Sequence, residues 1–295
     1  MMKTAVGLGE ILWDMLPEGK ALGGAPANFA YHISKLGYEG CAVSAVGRDA
    51  LGREIVRLLS SKGLSALLQD TDYPTGTVDV ELSGEGIPRY NIRRDVAWDH
   101  IAMTGPMHDL AARTDAVCFG SLAQRCDESR TTIRDFLRRV PAAAWKIFDI
   151  NLRQDYYSAD LIRESLALCN VLKINDEEVA VVASQFGIAG DLREVCQGLL
   201  RRHGLQILIL TCGTRGSRIF TAEGESFVPT PRIEVADTVG AGDSFTAGFI
   251  ASLLDGLPVP EAHDFAVTLS AFVCTQQGAM PDYSRETLRA FRQGL

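Results

Sequence analysis

The chain has no run of lysine or arginine, and its 29 basic residues are outnumbered by 37 acidic ones, for a net charge of −8. Nucleic acids and anionic membrane surfaces bind clustered basic residues, so the sequence argues against both as partners. It also has no apolar run long enough to span a bilayer. Its first residues, "MMKTAVGLGEILWD", lack the charged and long apolar regions of a signal peptide, and we expect no such leader.

Metal-binding and disulfide patterns are equally scarce. The seven cysteines are scattered without a C-x-x-C pair, and the five histidines include no H-E-x-x-H sequence. We therefore expect reduced thiols in a cytoplasmic protein, and no structural zinc site. The usual nucleotide signatures are missing too: G-x-x-x-x-G-K-[ST], G-x-G-x-x-G after a strand, and the H-R-D and D-F-G pair. An enzyme that uses ATP would need a different phosphate site.

The chain does contain a regular alternation of short apolar strands and amphipathic helices, clearest from Asp115 onward. Strands such as "DAVCFG", "NVLKIN" and "QILILT" are typical of a parallel sheet covered on both faces, which predicts an α/β layer fold. Residues 73–100 break this rhythm. There "TGTVDVELSGEGIPRYNI" alternates with period two, and Gly84 and Gly86 supply a turn, which predicts an antiparallel hairpin. The sequence therefore favours one domain over residues 1–295 with a small β appendage.

The stretch "DTVGAGDS" (Asp237–Ser244) carries the clearest chemistry. It precedes "SFTAGFIASLL", where large apolar residues recur every four positions, which predicts an amphipathic helix. Gly240, Ala241 and Gly242 then form the turn into a helix N-terminus, where free backbone N–H groups and the helix dipole favour an anion. Glycine lets the backbone approach that anion closely. We therefore predict an anion-binding turn at this position.

Asp243 follows these glycines and would repel the anion they attract. It could simply cap the helix. A phosphoryl-transfer site resolves the conflict, because the acceptor hydroxyl must lose a proton as its bond to phosphorus forms. Asp243 would accept that proton, while the N–H groups face the phosphoryl oxygens.

The chain resembles the ribokinase-like (PfkB) carbohydrate kinases through two segments. "GGAPANFAYHISKLGYEGCAVSAVGRDALG" (Gly23–Gly52) is similar to the N-terminal signature of that family, and "DTVGAGD" (Asp237–Asp243) to its C-terminal signature. The resemblance implies a three-layer α/β sandwich with a mainly parallel central sheet and a small β-sheet lid, formed by about residues 11–21 and 73–100. It also implies that Asp243 is the base and that Gly240 to Gly242 form the anion hole.

On the acceptor side, the resemblance implies that Asp14, in "GEILWD", holds sugar hydroxyls, for which a carboxylate with two acceptor oxygens is suited. A solvated aspartate at a strand end is the alternative. Gly23 and Gly24 are expected to let the sugar approach closely. Asn28 offers a donor and an acceptor to the sugar, although it could also be an ordinary helix residue.

On the nucleotide side, "NDEE" matches the family's N-x-x-E motif, which implies that Asn175 contacts ATP and that Glu178 organises Mg²⁺ through water. Acidic residues are also common in the first turn of any helix. "TCGTRGS" resembles the strand-end loop that borders ATP, with Thr211, Gly213 and Gly216 as the expected contacts.

The resemblance also covers a cation site. Asp237 and the region of Gly278 resemble the monovalent-cation site of some members, which would bind K⁺. Backbone carbonyls form most of that site, so the sequence tests it poorly.

The identity of the sugar rests on weaker signals. "GGAPAN" is the form of fructokinase-like members, and "FDINLRQDYYS" resembles the D-x-N-x-R motif of fructokinases and 2-keto-3-deoxygluconate kinases. Arg153 of that motif would contact a sugar or phosphate oxygen, or else lie on the surface.

In the lid, Tyr90, Arg93 and Trp98 are candidate sugar contacts. Arg93 alternates with Asn91 and Arg89, so only one face of their strand can point inward. Several arginines near the sugar would favour an acidic or phosphorylated substrate, unless they form the wet outer face.

These observations predict an ATP-dependent sugar kinase with fructose as acceptor. The alternatives within the class are 2-keto-3-deoxygluconate, tagatose, ribose or a nucleoside. Outside it they are a non-catalytic sugar sensor and a dinucleotide-dependent oxidoreductase, against which the missing G-x-G-x-x-G argues. The alternation in the hairpin hints at a homodimer formed through the lid.

Overall fold

The computed structural model of the chain describes residues 2–16, 19–82 and 88–295, with the backbone alone at 80–82 and 88–90. The strands of the described part are β1 (Thr4–Leu8), β2 (Leu12–Leu16), β3 (Gly19–Gly23), β4 (Glu39–Gly47), β5 (Ser65–Thr71), β6 (Gly76–Leu82), β7 (Pro88–Ile92), β8 (Ala116–Gly120), β9 (Trp145–Asp149), β10 (Val171–Asn175), β11 (Ile207–Thr211), β12 (Ser217–Phe220) and β13 (Glu225–Val228). They form two sheets.

The larger sheet has nine strands in the order β13-β12-β11-β10-β9-β8-β1-β4-β5. The strands from β11 to β5 in this order run parallel to their neighbours, and β12 and β13 add an antiparallel edge. Strands β1 and β8 are buried along their whole length, as expected where helices cover both faces of a sheet. The mainly parallel α/β fold predicted from the sequence is confirmed.

Helices cover both faces of this sheet. They are α1 (Ala25–Lys35), α2 (Ala50–Ser61), α3 (Gly105–Ala112), α4 (Asp127–Arg139), α5 (Ala159–Leu166), α6 (Asp176–Phe186), α7 (Leu192–His203), α8 (Ala241–Leu254), α9 (Val259–Cys274) and α10 (Arg285–Gln293). Helices α3 to α7 pack on one face, and α1, α8, α9 and α10 on the other, where each face has its own apolar core. Among the described residues no helix is both long and apolar enough to cross a membrane.

The prediction that the helix after the glycines is amphipathic was wrong. In α8 the nine residues from Ser244 to Ser252 are all buried. The helix lies between the sheet and its neighbours, and Phe245, Phe249 and Ile250 share one core with residues of α1 and α9. A helix that is buried on nearly all sides needs no polar face, so its apolar residues extend around the axis.

The smaller sheet has the order β3-β2-β6-β7. The pairs β2–β3 and β6–β7 are antiparallel, and the pair β2–β6 is parallel. The antiparallel pairing predicted between residues 76 and 92 is therefore present, while Gly84 and Gly86 of the expected turn lie outside the described residues. Only residues 9–11 join β1 of the large sheet to β2 of the small one.

Trp98 is not part of the small sheet, and its predicted contact with a sugar is wrong. It lies on a short 3-10 helix (Ala97–His100), and its side chain is fully buried in the main core. The guanidinium of Arg125 lies 4.0 Å from the centroid of the indole ring and also pairs with Asp99. The appendage predicted over 73–100 therefore ends near Ile92, because the chain returns to the main core after β7.

Candidate active site

The chain changes direction across the large sheet at β1. From β1 it passes through β2, β3 and α1 to β4 on one side, and it later adds β8 on the other. In open α/β sheets a crevice forms beyond the carboxyl ends of the strands at this switch point, and ligands bind there. The start of α8 lies at the same edge, since Asn28 of α1 is bonded to Asp243 of α8. The candidate site is therefore the region beyond β1, β8, β9 and β10.

Asp243 is held by a residue 215 positions away in the chain. The Nδ2 atom of Asn28 donates a hydrogen bond of 2.7 Å to Oδ2 of Asp243. Burial, together with the charge of Asp149, raises the pKa of Asp243 to about 6, although the bond from Asn28 opposes that rise. A carboxyl group with a pKa near neutrality is suited to accept a proton and later release it. The Oδ1 atom of Asn28 is buried and has no hydrogen-bond partner among the described residues.

The turn before α8 has the geometry of an anion site. Gly240 is the N-cap with φ of +78°, and the amide of Ala241 donates to the carbonyl of Thr238 at 3.3 Å. Gly242 and Asp243 belong to the first turn of α8, so their amides have no carbonyl four residues earlier within the helix. These N–H groups and the positive end of the helix dipole would face an oxyanion.

Gly240 is also required by its neighbour across the loop. A Cβ atom at this position would lie 2.7 Å from the Cβ atom of Ala279. His32 of α1 fixes that loop, since its Nε2 atom lies 2.9 Å from the carbonyl oxygen of Ala279 and its Nδ1 atom lies 2.8 Å from the hydroxyl of Tyr283. A carbonyl can only accept, so Nε2 carries the proton. Burial lowers the pKa of His32 to about 4, which keeps the ring neutral.

A buried ion pair lies beneath the anion site. No role was predicted for Lys173, and Asp149 stood only as the first residue of the D-x-N-x-R motif. Nζ of Lys173 in β10 donates a 2.9 Å hydrogen bond to Oδ1 of Asp149, the last residue of β9. The same Nζ lies 3.1 Å from where a Cβ of Gly242 would be, so its positive charge adjoins the anion site. The signal was present, because a lysine within the apolar strand "NVLKIN" needs a partner.

Glu10 was also missed. It follows β1 at the carboxyl edge of the sheet, and only 3% of its surface is exposed. Burial, together with the charges of Asp243 and Asp149, raises its pKa to about 7, against the bond from its own amide and the charge of Arg153. The sequence signal was an acidic residue placed directly after the first apolar strand.

Asp14 lies in the middle of β2 and is partly exposed. Burial raises its pKa, and the charge of Arg153 opposes that rise. The structure shows a packing reason for glycine at positions 23 and 24, whereas from the sequence we expected glycine there so that a sugar could approach. A Cβ at Gly23 would meet the carboxylate of Asp14, and a Cβ at Gly24, where φ is +119°, would meet the backbone of Glu10. Contact of these glycines with a sugar stays a prediction.

Arg153 lies in the exposed segment after β9, between Asn151 and Gln154, whose φ angles are +41° and +49°. Non-glycine residues in this region are uncommon and often mark functional loops. The pKa values of Asp14, Asp243 and Glu10 are all raised by burial, and the positive charge of Arg153 opposes each of these rises. The structure therefore brings Arg153 to the acidic groups at the edge of the sheet.

The structure does not bring Arg93 to this cluster. Asp14 pairs with Val78, and Val78 with Ile92, so these residues share one face of the small sheet. Asn91 pairs with Asp79 on the opposite face, and Arg93 follows in the same alternation, with an exposed side chain. Arg93 is therefore withdrawn as a sugar contact. The backbone of Tyr90 pairs with Val80, but its side chain lies outside the described residues and its contact with a sugar stays a prediction.

On the nucleotide side, Asn175 and Glu178 form a reciprocal cap at the start of α6. Oδ1 of Asn175 accepts from the amide of Glu178 at 2.8 Å, and the Glu178 carboxylate accepts from the amides of Asn175 and Leu152 at 2.9 and 2.8 Å. Burial raises the pKa of Glu178 against these bonds.

The described residues contain no group of three or more acidic, histidine or cysteine side chains that could hold a metal directly. Both oxygens of the Glu178 carboxylate already accept one backbone amide each, which leaves one lone pair on each for water. Magnesium keeps several of its waters when it binds alongside nucleotide phosphates. Glu178 therefore fits a hydrated ion and not a fully protein-bound one.

The strand-end loop predicted to border ATP adjoins this cap. Thr211 pairs directly with Asn175 in the sheet register, so the two lie side by side at the carboxyl edge. Arg215 of the loop forms an ion pair with Asp176 of α6. A Cβ at Gly213 would meet nothing within 4 Å, whereas one at Gly216 would meet the backbone of Val228. Gly213 therefore faces open space, and Gly216 is required by packing.

Asp237 joins two loops. Its carboxylate accepts hydrogen bonds of 3.0 Å from the amides of Val239 and Gly278. These bonds hold the glycine turn against the loop that follows α9. Ligation of a monovalent cation here stays a prediction.

Comparisons with known proteins agree with this geometry. The model of the pfkB family carbohydrate kinases matches residues 18–286. A fructokinase of Salmonella typhimurium is 30% identical over 96% of this chain and 98% of its own. The structure of fructokinase with bound ATP from Xylella fastidiosa superimposes with a TM-score of 0.84 at 23% identity, covering 100% and 99% of the two chains. That of aminoimidazole riboside kinase from Salmonella enterica, complexed with aminoimidazole riboside and an ATP analog, gives 0.81 at 25% identity, covering 98% and 99%.

Proposed function

Since the chain belongs to the pfkB family of carbohydrate kinases, we propose that it transfers the γ-phosphoryl group of ATP to the terminal hydroxyl of fructose, with Asp243 as the base. The hydrogen bond from Asn28 to Asp243, at a glycine turn that opens a helix, is the observation that carries this proposal. It combines an oriented proton acceptor with an anion site, as a hydroxyl phosphorylation requires.

In this reaction the acceptor oxygen forms a bond to the γ-phosphorus while the bond between that phosphorus and the bridging oxygen of ADP breaks. The proton of the acceptor hydroxyl passes to Oδ1 of Asp243, because Oδ2 already accepts from Asn28. The amides of Gly242 and Asp243 face the phosphoryl oxygens on which negative charge develops. Lys173 adds positive charge behind the same turn. The products are ADP and a sugar phosphate.

ATP would lie along the edge that carries Asn175, Thr211 and Gly213, with its γ-phosphate at the start of α8. The structure of aminoimidazole riboside kinase, which matches 98% of this chain, was solved with an ATP analog, and this supports ATP as the phosphoryl donor. A magnesium ion bound to ATP would neutralise phosphate charge, and Glu178 would hold one of its waters.

The charges at the site favour a neutral sugar over a sugar acid. Glu10, Asp14 and Asp243 all have a raised pKa, which reflects burial and, at Glu10 and Asp243, the charge of other carboxyl groups. Of the two arginines expected near the sugar, Arg153 acts on these groups through its charge, whereas Arg93 lies on the opposite face of the small sheet. An acceptor carboxylate would therefore meet an acidic environment.

An ADP-release assay with a panel of acceptors tests this proposal. We expect the highest kcat/KM with fructose, lower values with tagatose, ribose and aminoimidazole riboside, and the lowest with 2-keto-3-deoxygluconate. Turnover of the sugar acid in preference to every neutral acceptor would contradict the charge argument, and no ADP release above background with any of them would contradict the proposed activity.

A further inference from the structure

Glu10 has a buried oxygen that the described part of the protein does not use. Its Oε2 atom is inaccessible to water and has no hydrogen-bond partner there. Leaving a buried carboxylate oxygen unpaired is costly, and most such atoms are paired in folded proteins. In the described part of the protein no hydrogen bond to this oxygen offsets the cost of burying it. A structural role therefore does not explain why position 10 carries a carboxylate.

The backbone of Glu10, in contrast, has a clear packing role. Its carbonyl lies where a Cβ atom of Gly24 would be, at the start of α1. That contact needs no particular side chain at position 10. An apolar residue of similar size would fill the same space without the cost of an unpaired carboxylate. The side chain therefore calls for a separate explanation.

The charged groups around Glu10 are those of the candidate active site. The charges that act on it are those of Asp243 in α8, of Asp149 at the end of β9 and of Arg153 in the following segment. Arg153 also acts on Asp14, which lies four positions after Glu10 on the small sheet. The backbone of Glu10 also adjoins this site. Its carbonyl oxygen lies 2.4 Å from where a Cβ of Gly24 would be, at the N-cap of α1, and Asn28 of that helix holds Asp243.

We propose that Glu10 binds the acceptor sugar directly: when the sugar enters, the Glu10 side chain turns out of its sealed position, and Oε2 accepts a hydrogen bond from a hydroxyl that is not phosphorylated. This inference deepens the proposed function and rests on it. Asp243 takes the reacting hydroxyl, Asp14 takes hydroxyls on the side of the small sheet, and Glu10 takes one at the floor of the site. The ligand is then a neutral polyol with at least three hydroxyls in reach of three carboxyl groups.

Binding measured by calorimetry without nucleotide, using the acceptor that the panel identifies, separates this role from catalysis. Replacing a hydrogen bond to a charged group changes affinity by about 10- to 100-fold. We expect Glu10→Ala to weaken sugar binding by that factor and to leave the KM for ATP unchanged. Glu10→Gln, which keeps an acceptor oxygen, should lose about 3- to 10-fold. Glu223→Ala, in an exposed turn, is the control that should change neither value.

Monodeoxy analogues of the same sugar identify the hydroxyl. One analogue should lose as much affinity for the wild-type protein as Glu10→Ala loses for the complete sugar, and it should lose nothing further in that variant. If every analogue loses the same factor in both proteins, Glu10 contacts no hydroxyl and the inference is wrong. Should Glu10→Ala fail to fold, the same cycle with Glu10→Gln decides. Asp243→Asn tests the proposed function separately, since it should abolish turnover while sugar binding persists.

Discussion

Asn28 donates its side-chain N–H to Oδ2 of Asp243 at 2.7 Å and so joins α1 to the first turn of α8. The two residues belong to the two signature segments that carried the family resemblance. Their contact gives a physical reason for both segments, because one supplies the proton acceptor and the other orients it. In the proposed reaction Oδ1 of Asp243, for which the described part of the chain shows no hydrogen bond, would take the proton of the hydroxyl.

Removing the base should abolish turnover. In Asp243→Asn the side chain keeps its size but cannot take a proton, so kcat should fall by about 10²- to 10⁴-fold. Sugar affinity, measured by calorimetry, should change less than about tenfold. A variant that retains more than a tenth of the wild-type kcat would exclude Asp243 as the base.

The rate should depend on pH through Asp243. The base must be deprotonated, and its pKa is about 6, so kcat/KM should rise as the pH increases through that value. The bond from Asn28 lowers this pKa. In Asn28→Ala the rise should therefore move to higher pH, and kcat at pH 7 should fall by about tenfold or more. An unchanged pH profile in this variant would show that the bond does not tune the base.

Glu10 should cost the protein stability at neutral pH. Its pKa in the folded state, about 7, lies above the ordinary value of 4.5 for a glutamate, so the folded state holds the proton more tightly. Stability is thus undiminished below pH 4.5 and falls as the pH rises through 7. Between pH 4.5 and 8 the wild-type protein should lose on the order of 3 kcal/mol of unfolding free energy through Glu10. Glu10→Gln should lack this loss, so its advantage over the wild type should grow by the same amount over that pH range. Urea titrations at the two pH values measure it, and an equal effect at both would contradict the burial of a charge.

The left-handed turn before α8 should tolerate no side chain. In Gly240→Ala the methyl group is strained at φ of +78° and overlaps Ala279, so the glycine turn must move. We expect kcat to fall by about 10²-fold. Gly256→Ala is a matched control at φ of +80° just beyond the other end of α8, where a Cβ meets nothing within 4 Å. It should lose about 1 kcal/mol of stability and keep its activity.

The sequence predicted the strands and helices well because period and apolarity depend on local positions. It predicted α8 as amphipathic, and this was wrong because the burial of Ser244 to Ser252 depends on helices elsewhere in the chain. The assignment of Trp98 to the lid was wrong because it, too, relied on the local sequence alone. An aromatic residue near a hairpin gives no sign of whether it turns outward or back into the core.

The site could be predicted only where a motif marked it. Asp243 and its glycines stand in such a motif. Asp149 begins the D-x-N-x-R motif, but no role was predicted for it, and Glu10 and Lys173 are single charged residues in or after apolar strands. What relates them is the strand order, which brings the ends of β1, β9 and β10 to one edge of the sheet. No pattern within any of these strands reveals that edge. The pairing of Asn28 with Asp243 depends on helix packing in the same way.

The short link of residues 9–11 has a mechanical consequence for recognition. Glu10 lies within this link, with its carbonyl against Gly24 at the start of α1, whereas Asp14, four positions later, lies in the small sheet. Any swing of the small sheet would change the separation of these two carboxyl groups, while the spacing of Glu10 and Asp243 would be preserved by the packing of α8. A sugar that contacts the carboxyl groups of Glu10, Asp14 and Asp243 together would hold the small sheet at one distance from α8. The length of that sugar would then determine how far the small sheet closes.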